Sequence, residues 1–245
     1  MPQLFGKANR AQPTSVADGA QVQIRTTGYG EVVTTQLGDN HNSLADEGSY
    51  YKVTNGTPGV STTNFAAPGA SFSNTAPQFI LHNNNAAGGK RIYIDYVRIY
   101  LAASSAGAGV GCAVTIDPGQ NRRSSGGTQF TAVNVNSDVA TAAGGLFYWA
   151  SGTALAATAG AAPRLVSRHQ FKTQATPVGT AGDVFSMDFG EHMSGSATLA
   201  GALVPQVYPA SVGPVVIGGG TSMCFYLWGF TAAPLLEWEI AWWER

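Results

Sequence analysis

Residues able to move protons or hold metals are few in this 245-residue chain, and their spacing decides what they can do. The four histidines are His41, His82, His169 and His192, and none stands in an HExxH or HxH arrangement. No element therefore offers two imidazoles to one metal ion. Glu191-His192 is an adjacent acid–imidazole pair between Gly190 and Gly195. It reads as a solvated loop, because catalysis needs partners that converge. A serine nucleophile elbow needs Gly-x-Ser-x-Gly. Gly69-Ala70-Ser71 lacks the second glycine, and Met193-Ser194-Gly195 lacks the first. Gly218-Gly219-Gly220-Thr221 lacks the Gly-Lys-Ser/Thr ending of a phosphate loop and precedes a strand, so a hairpin turn is expected there. His82-Asn83-Asn84-Asn85 offers carbonyl oxygens but too few carboxylates for calcium, and reads as a hydrophilic loop.

One acidic pair has a meaningful spacing. Glu237 and Glu239 share a strand face about 6.5–7 Å apart, within the range of glycosidase carboxylates, and tryptophans lie nearby. Alternating glutamates on the open face of a terminal strand are ordinary solubility chemistry, so no enzymatic role is expected of the pair. No catalytic residue, cofactor or metal is expected. The basic pairs Lys90-Arg91 and Arg122-Arg123 are read as solvated positions. With a net charge of -1, the chain has no basic stripe to displace phosphate counterions, so no nucleic-acid partner is expected.

The elements carrying these residues read as strands. In 90–101, Ile92, Ile94, Tyr96 and Tyr100 are expected on one face, and Tyr93, Val97, Ile99 and Leu101 on the other with Asp95. A strand apolar on both faces packs on both: a sandwich interior on one side, a subunit or overlying arm on the other. In 235–244, Leu236, Trp238, Ile240 and Trp242 alternate with Glu237, Glu239 and Ala241, the pattern of a half-buried strand. Further strands are expected at 110–116, 128–136, 146–150, 164–172, 183–189, 214–217 and 221–230, with loops at 102–109, 152–162 and 194–201. The fold class implied is all-β, a β-sandwich or jelly roll.

Composition separates two regions. Glycine occupies 31 positions, nearly twice the usual share of ~7%. Charged residues are only 11%, against ~25% in ordinary domains, so the surface is largely neutral and polar. Residues 1–75 carry turn residues throughout and only short apolar clusters, and are expected to form an extended N-terminal arm and linker with weak strands at 21–26 and 31–35. Such a segment buries too little to fold alone. Residues 76–245 are expected to form the sandwich. Cys112 and Cys224 lie far apart in apolar runs, which fits buried free thiols. The opening residues lack the apolar run of a signal peptide, and no stretch approaches the ~20 apolar residues of a membrane helix. The chain is expected to be soluble as made, with no membrane partner.

Gly30-Glu31-Val32-Val33, then 44–51 (Leu-Ala-Asp-Glu-Gly-Ser-Tyr-Tyr) and Thr57-Pro58-Gly59 resemble the N-terminal segment of tailed-bacteriophage virion structural proteins. The C-terminal pattern is similar too: a Gly-rich turn, an apolar strand, then a strand ending Trp242-Trp243-Glu244. The resemblance implies a jelly-roll homotrimer on the particle, of the capsid decoration (cement) type. It places the protein on the outer surface of the capsid, assembled in the host cytoplasm, with the major capsid protein as partner. The arm would then anchor through Leu4, Phe5, Val22, Ile24, Val32 and Val33, and the copies would meet through Tyr93, Leu235 and Trp243. Three arms on one body would gain avidity through effective concentration. A tail fibre, tail adaptor or receptor-binding protein of the virion is the alternative, with the loops at 102–109, 152–162 and 194–201 at its tip.

Overall fold

The computed structural model describes residues 44–55, 72–103, 107–117, 121–150, 154–158, 163–172, 180–190, 207–230 and 234–245. The anchoring residues Leu4, Phe5, Val22, Ile24, Val32 and Val33 lie outside the described residues, as do Glu191-His192 and the 194–201 loop.

The strands follow in chain order: β1 (Tyr50–Thr54), β2 (Phe79–Asn83), β3 (Ile92–Leu101), β4 (Gly107–Asp117), β5 (Arg123–Ser125), β6 (Thr128–Phe130), β7 (Val133–Asn134) and β8 (Gly145–Trp149). Then come β9 (Ala156–Ala157), β10 (Arg164–Lys172), β11 (Val184–Phe189), β12 (Val207–Val212), β13 (Val216–Ile217), β14 (Ser222–Phe230) and β15 (Leu236–Glu244). A seven-stranded sheet runs β12-β11-β3-β15-β1-β7, with β13 also on β3. A six-stranded sheet runs β10-β4-β14-β2-β8-β6, and β5 pairs β9 in a small ribbon. Eight strands form the framework, as β1-β15-β3-β11 and β2-β14-β4-β10. Counted along the chain they read 1-8-3-6 and 2-7-4-5, and every neighbour pair is antiparallel. That strand order is a jelly roll. The fold is the all-β sandwich expected from the strand pattern.

The two sheets close on one apolar layer. Phe147 and Trp149 of the six-stranded sheet meet Trp238 of the seven-stranded one, with Trp149 and Trp238 stacked at 4.3 Å, and Phe79 stacks on both Trp149 and Phe225 in the same layer. Leu236, Trp238, Ile240 and Trp242 are all buried, so the alternation of the last strand holds. A second, smaller cluster lies on the outer face of the six-stranded sheet, where Ile80, Ala113, Tyr148, Cys224 and Tyr226 are covered by Leu155 and Ala157. Cys112 belongs to the inner layer and Cys224 to the outer one. They are free thiols facing opposite sides of one sheet.

The structure corrects several expectations. Tyr50–Thr54 falls inside the span 1–75 assigned to the arm, yet it is β1, hydrogen-bonded to β15 on one side and β7 on the other. Its pattern is too short to stand out from the turn residues around it. On β3 the two expected faces are mixed: Ile92, Ile94, Val97, Ile99 and Leu101 are all in the core. Ala241 pairs with Tyr96 but Trp242 with Ile94, so Asp95 is an extra residue. A one-residue β-bulge of this kind swaps the faces beyond it. The last strand of the sequence is an inner strand, between β3 and β1. The glycine run 218–220 joins β13 of one sheet to β14 of the other and so is no hairpin. A Cβ at Gly219 would lie 2.1 Å from the Ala86 carbonyl oxygen, which is why only glycine fits. Arg122, expected in solvent, is 0% exposed. Asn83, expected in a hydrophilic loop, is buried as well, donating to the carbonyls of Lys90 and Ile217.

Candidate functional site

The outer face of the seven-stranded sheet brings together the half-exposed aromatic residues Tyr50, Tyr93, Tyr96, Tyr100 and Trp243. Cross-strand register places them in rows, because residues directly opposite one another share a face. Tyr50, Trp243, Tyr93 and Val216 form one row across β1, β15, β3 and β13. Lys52, Ala241, Tyr96 and Asp188 form the next, and Thr54, Glu239, Arg98 and Ser186 the third. Glu237, Tyr100, Val184 and Val207 complete the face. The bulge at Asp95 makes this possible. Past it, Tyr96, Arg98 and Tyr100 turn outward beside Tyr93, while Val97, Ile99 and Leu101 turn in.

The centre of the face is an ion network. Glu239 accepts from Lys52 Nζ at 2.6 Å, from Arg98 Nη1 at 3.3 Å and from the Tyr100 hydroxyl at 3.2 Å. Burial pulls the Glu239 carboxyl up, but the Lys52 hydrogen bond and charge, the Tyr100 hydroxyl and the Arg98 charge outweigh it and hold the group below its ordinary value. The Arg98 guanidinium lies 4.1 Å from the Tyr96 ring centre, and Lys52 Nζ lies 6.0 Å from the same ring. Both cations keep a third or more of their side chains exposed, so each contact is a modest one. Burial, then the Glu239 charge, raises the phenols of Tyr96 and Tyr100. The Tyr50 hydroxyl donates to Asp95 Oδ2. Burial and that hydrogen bond hold its phenol protonated far above the ordinary range.

Two flanks surround that centre. At one end Tyr93 and Trp243 stack at 5.9 Å with planes 5° apart, beside Val216, which is 40% exposed. At the other end lie Val207, 58% exposed, and Leu235, 36% exposed. The face is thus banded: aromatic, charged, aliphatic.

Of the three residues expected at a subunit contact, Tyr93 and Trp243 are brought together. Leu235 is on the same face but about 27 Å along β15 from Trp243, by strand rise. Glu237 is exposed, whereas Glu239 is drawn into the network, so the pair is no symmetric carboxylate couple. The network residues Tyr50, Lys52, Tyr96 and Arg98 carry no local signal. Their juxtaposition depends on β1, β3 and β15 being neighbours, which only the strand order reveals.

The cysteines offer no nucleophile. Burial pushes the Cys112 thiol up to about 12 and the Cys224 thiol up to about 11, so neither ionises near neutral pH. Among the described residues, no group of His, Cys, Asp or Glu could hold a metal ion, and no helix is long and apolar enough to cross a membrane. No protein-family model, curated protein or solved structure matches the chain.

Proposed function

We propose that the chain is a structural protein of a tailed-bacteriophage virion. It acts as a capsid decoration (cement) protein, docking as a homotrimer on the major capsid protein at the outer surface of the head. The observation that carries a docking role is the banded face: Tyr50, Tyr93, Tyr96, Tyr100 and Trp243 on one sheet surface, with Arg98 among them. Tyr, Trp and Arg are the residues that dominate protein–protein contacts. Held on a sheet, they lose little freedom on association. The jelly-roll strand order and the sparse surface charge support the virion reading, alongside the sequence resemblance at both ends of the chain.

Quantitative mass spectrometry of purified virions, against the major capsid protein, tests this. Hundreds of copies in simple ratio to capsid subunits are expected. A handful to a few dozen would instead make it a tail or fibre component. Absence from particles would end the virion reading, and with it the proposed capsid partner.

A further inference from the structure

The outer face of the six-stranded sheet carries a cover made of three short segments, and one side chain joins them. Arg122 is 0% exposed. Its Nη1 donates to Asp117 Oδ2 at the end of β4, at 3.1 Å. Its Nη2 donates to the Asn74 carbonyl at 3.1 Å and to Asn74 Oδ1 at 3.4 Å, and its Nε to the Thr158 carbonyl at 2.7 Å. The Arg122 backbone N–H donates to Ser222 Oγ on β14 at 3.2 Å. Its carbonyl in turn accepts from the Thr158 N–H at 2.8 Å. The segments also hold one another: the Ala157 N–H donates to the Thr75 carbonyl at 2.9 Å, and Ser124 Oγ donates to the Ala156 carbonyl at 3.0 Å. The Tyr226 hydroxyl reaches up from the sheet to the Asn74 carbonyl at 3.0 Å.

We infer that residues 73–76, 121–125 and 154–158 form one cover that lifts from the sheet as a unit, with Arg122 as its latch. Three features set this cover apart from the sandwich. Its only fully buried apolar side chains are Leu155 and Ala157, and both belong to the small outer cluster rather than the inter-sheet layer. Lifting it therefore leaves the main core intact. It is held largely by polar contacts, including the Arg123 guanidinium 4.2 Å from the Tyr148 ring centre, and water can replace these. Finally, Gly126 and Gly127, at φ 70° and 66°, separate β5 from β6. A Cβ at Gly126 would meet the Ala154 carbonyl oxygen at 2.1 Å. The two glycines give the ribbon a tight turn about which to swing away from β6. Segments with few buried apolar contacts open below the global unfolding free energy. The opened state uncovers Ile80, Tyr148 and Tyr226, a second apolar face on the opposite side of the molecule from the banded one.

Hydrogen exchange of the full chain tests this, with the amides of Ala157, Thr158 and Arg122 as reporters and those of β15 as reference. In the wild type the cover amides are expected to share one opening free energy, lower than that of β15. Arg122→Lys keeps a cation near Asp117 but loses the planar fork that reaches Asn74 and Thr158. It is expected to speed exchange of the reporters in 121–125 and in 154–158 together by about 10- to 100-fold, leaving β15 unchanged. Tyr226→Phe, which removes one bond to Asn74 and leaves Arg122 in place, is expected to quicken the same set by a smaller factor. It carries the test alone should Arg122→Lys fail to fold. Cover amides as slow as β15 in the wild type, quickening confined to one segment, or uniform quickening through the sandwich would each overturn the inference.

Discussion

Glu244 gathers three N–H donors where solvent does not reach. It is 3% exposed and accepts from the backbone of Gly144 at 2.9 Å, that of Gly145 at 3.0 Å, and Trp242 Nε1 at 3.0 Å. A carboxylate suits this place because it only accepts. Glu244→Gln keeps the volume but turns a donor toward donors, and is expected to cost about 2–3 kcal/mol, read as a lower urea midpoint at unchanged m-value. His82 makes a different prediction. Its Nδ1 lies 3.1 Å from both the Thr221 carbonyl and Ser222 Oγ. Burial pulls its pKa below 6.5, against the smaller upward pull of the Thr221 carbonyl. A histidine held neutral in the fold contributes stability that is fully present above its unfolded pKa. That contribution is lost as pH falls from there through the folded pKa. Burial lowers His169 as well, so the two act in one window. Thermal midpoints taken from about pH 8 down to about pH 5 are expected to decline below about 6.5. His82→Gln should flatten part of that decline, His169 keeping the rest. Glu239, held below 4.5, adds its own loss only at more acid pH. An identical profile in wild type and His82→Gln would remove His82 from this account.

The Asp95 bulge is where an element's geometry decides what the molecule presents. Without the extra residue, β3 would send Tyr96 and Tyr100 inward behind Ile92 and Ile94, and Val97, Ile99 and Leu101 out to solvent. Asp95, 8% exposed, receives the Tyr50 hydroxyl from two strands away. Tyr50 thereby pins the bulge. In a double-mutant cycle, Tyr50→Phe and Asp95→Asn are expected to couple by about 1–2 kcal/mol; additive costs would mean that the bulge stands without Tyr50. This bulge also marks the limit of what period-two reading can recover. β14 and β15 announce themselves, because Gly or Pro bounds their apolar runs, although the register of β14 with β4 shifts between Trp228 and Phe230. β3 was legible as a strand, but its faces were not, since a bulge depends on the partner strand. β12 carries no such signal. Pro209 speaks against a strand, yet β12 is an edge that pairs only with β11, where a missing N–H is tolerated. Arg122 looked like a surface charge because its acceptors, Asn74 and Thr158, lie 48 and 36 residues away.

At the scale of the whole molecule, the banded face would constrain how copies of the proposed trimer meet. In a cyclic trimer each contact is heterologous, so every copy offers two different patches, one to each neighbour. Tyr93 with Trp243 at one end of the face, and Leu235 with Val207 at the other, supply two such patches across the Lys52–Glu239–Arg98 centre. Those central charges already satisfy one another, so they drive association little. Sedimentation of the proposed trimer is accordingly expected to change little between about 0.1 M and about 1 M salt. Trp243→Ala removes an aromatic anchor of a kind worth about 2 kcal/mol or more, which raises a dissociation constant by about 30-fold or more. Leu235→Ser should weaken the ring from the other end. The two variants also distinguish this arrangement from a two-fold one by complementation. Alone, each variant has a damaged patch in every contact and is expected to sediment as monomer. Mixed, the intact Trp243 end of one variant can meet the intact Leu235 end of the other. The remaining patches are both damaged, so association stops at a heterodimer and no ring closes. Trimers in the mixture, or no association at all, would show that the two ends do not meet across the subunit contact. Dissociation by salt with Trp243→Ala harmless would move the contact off this face.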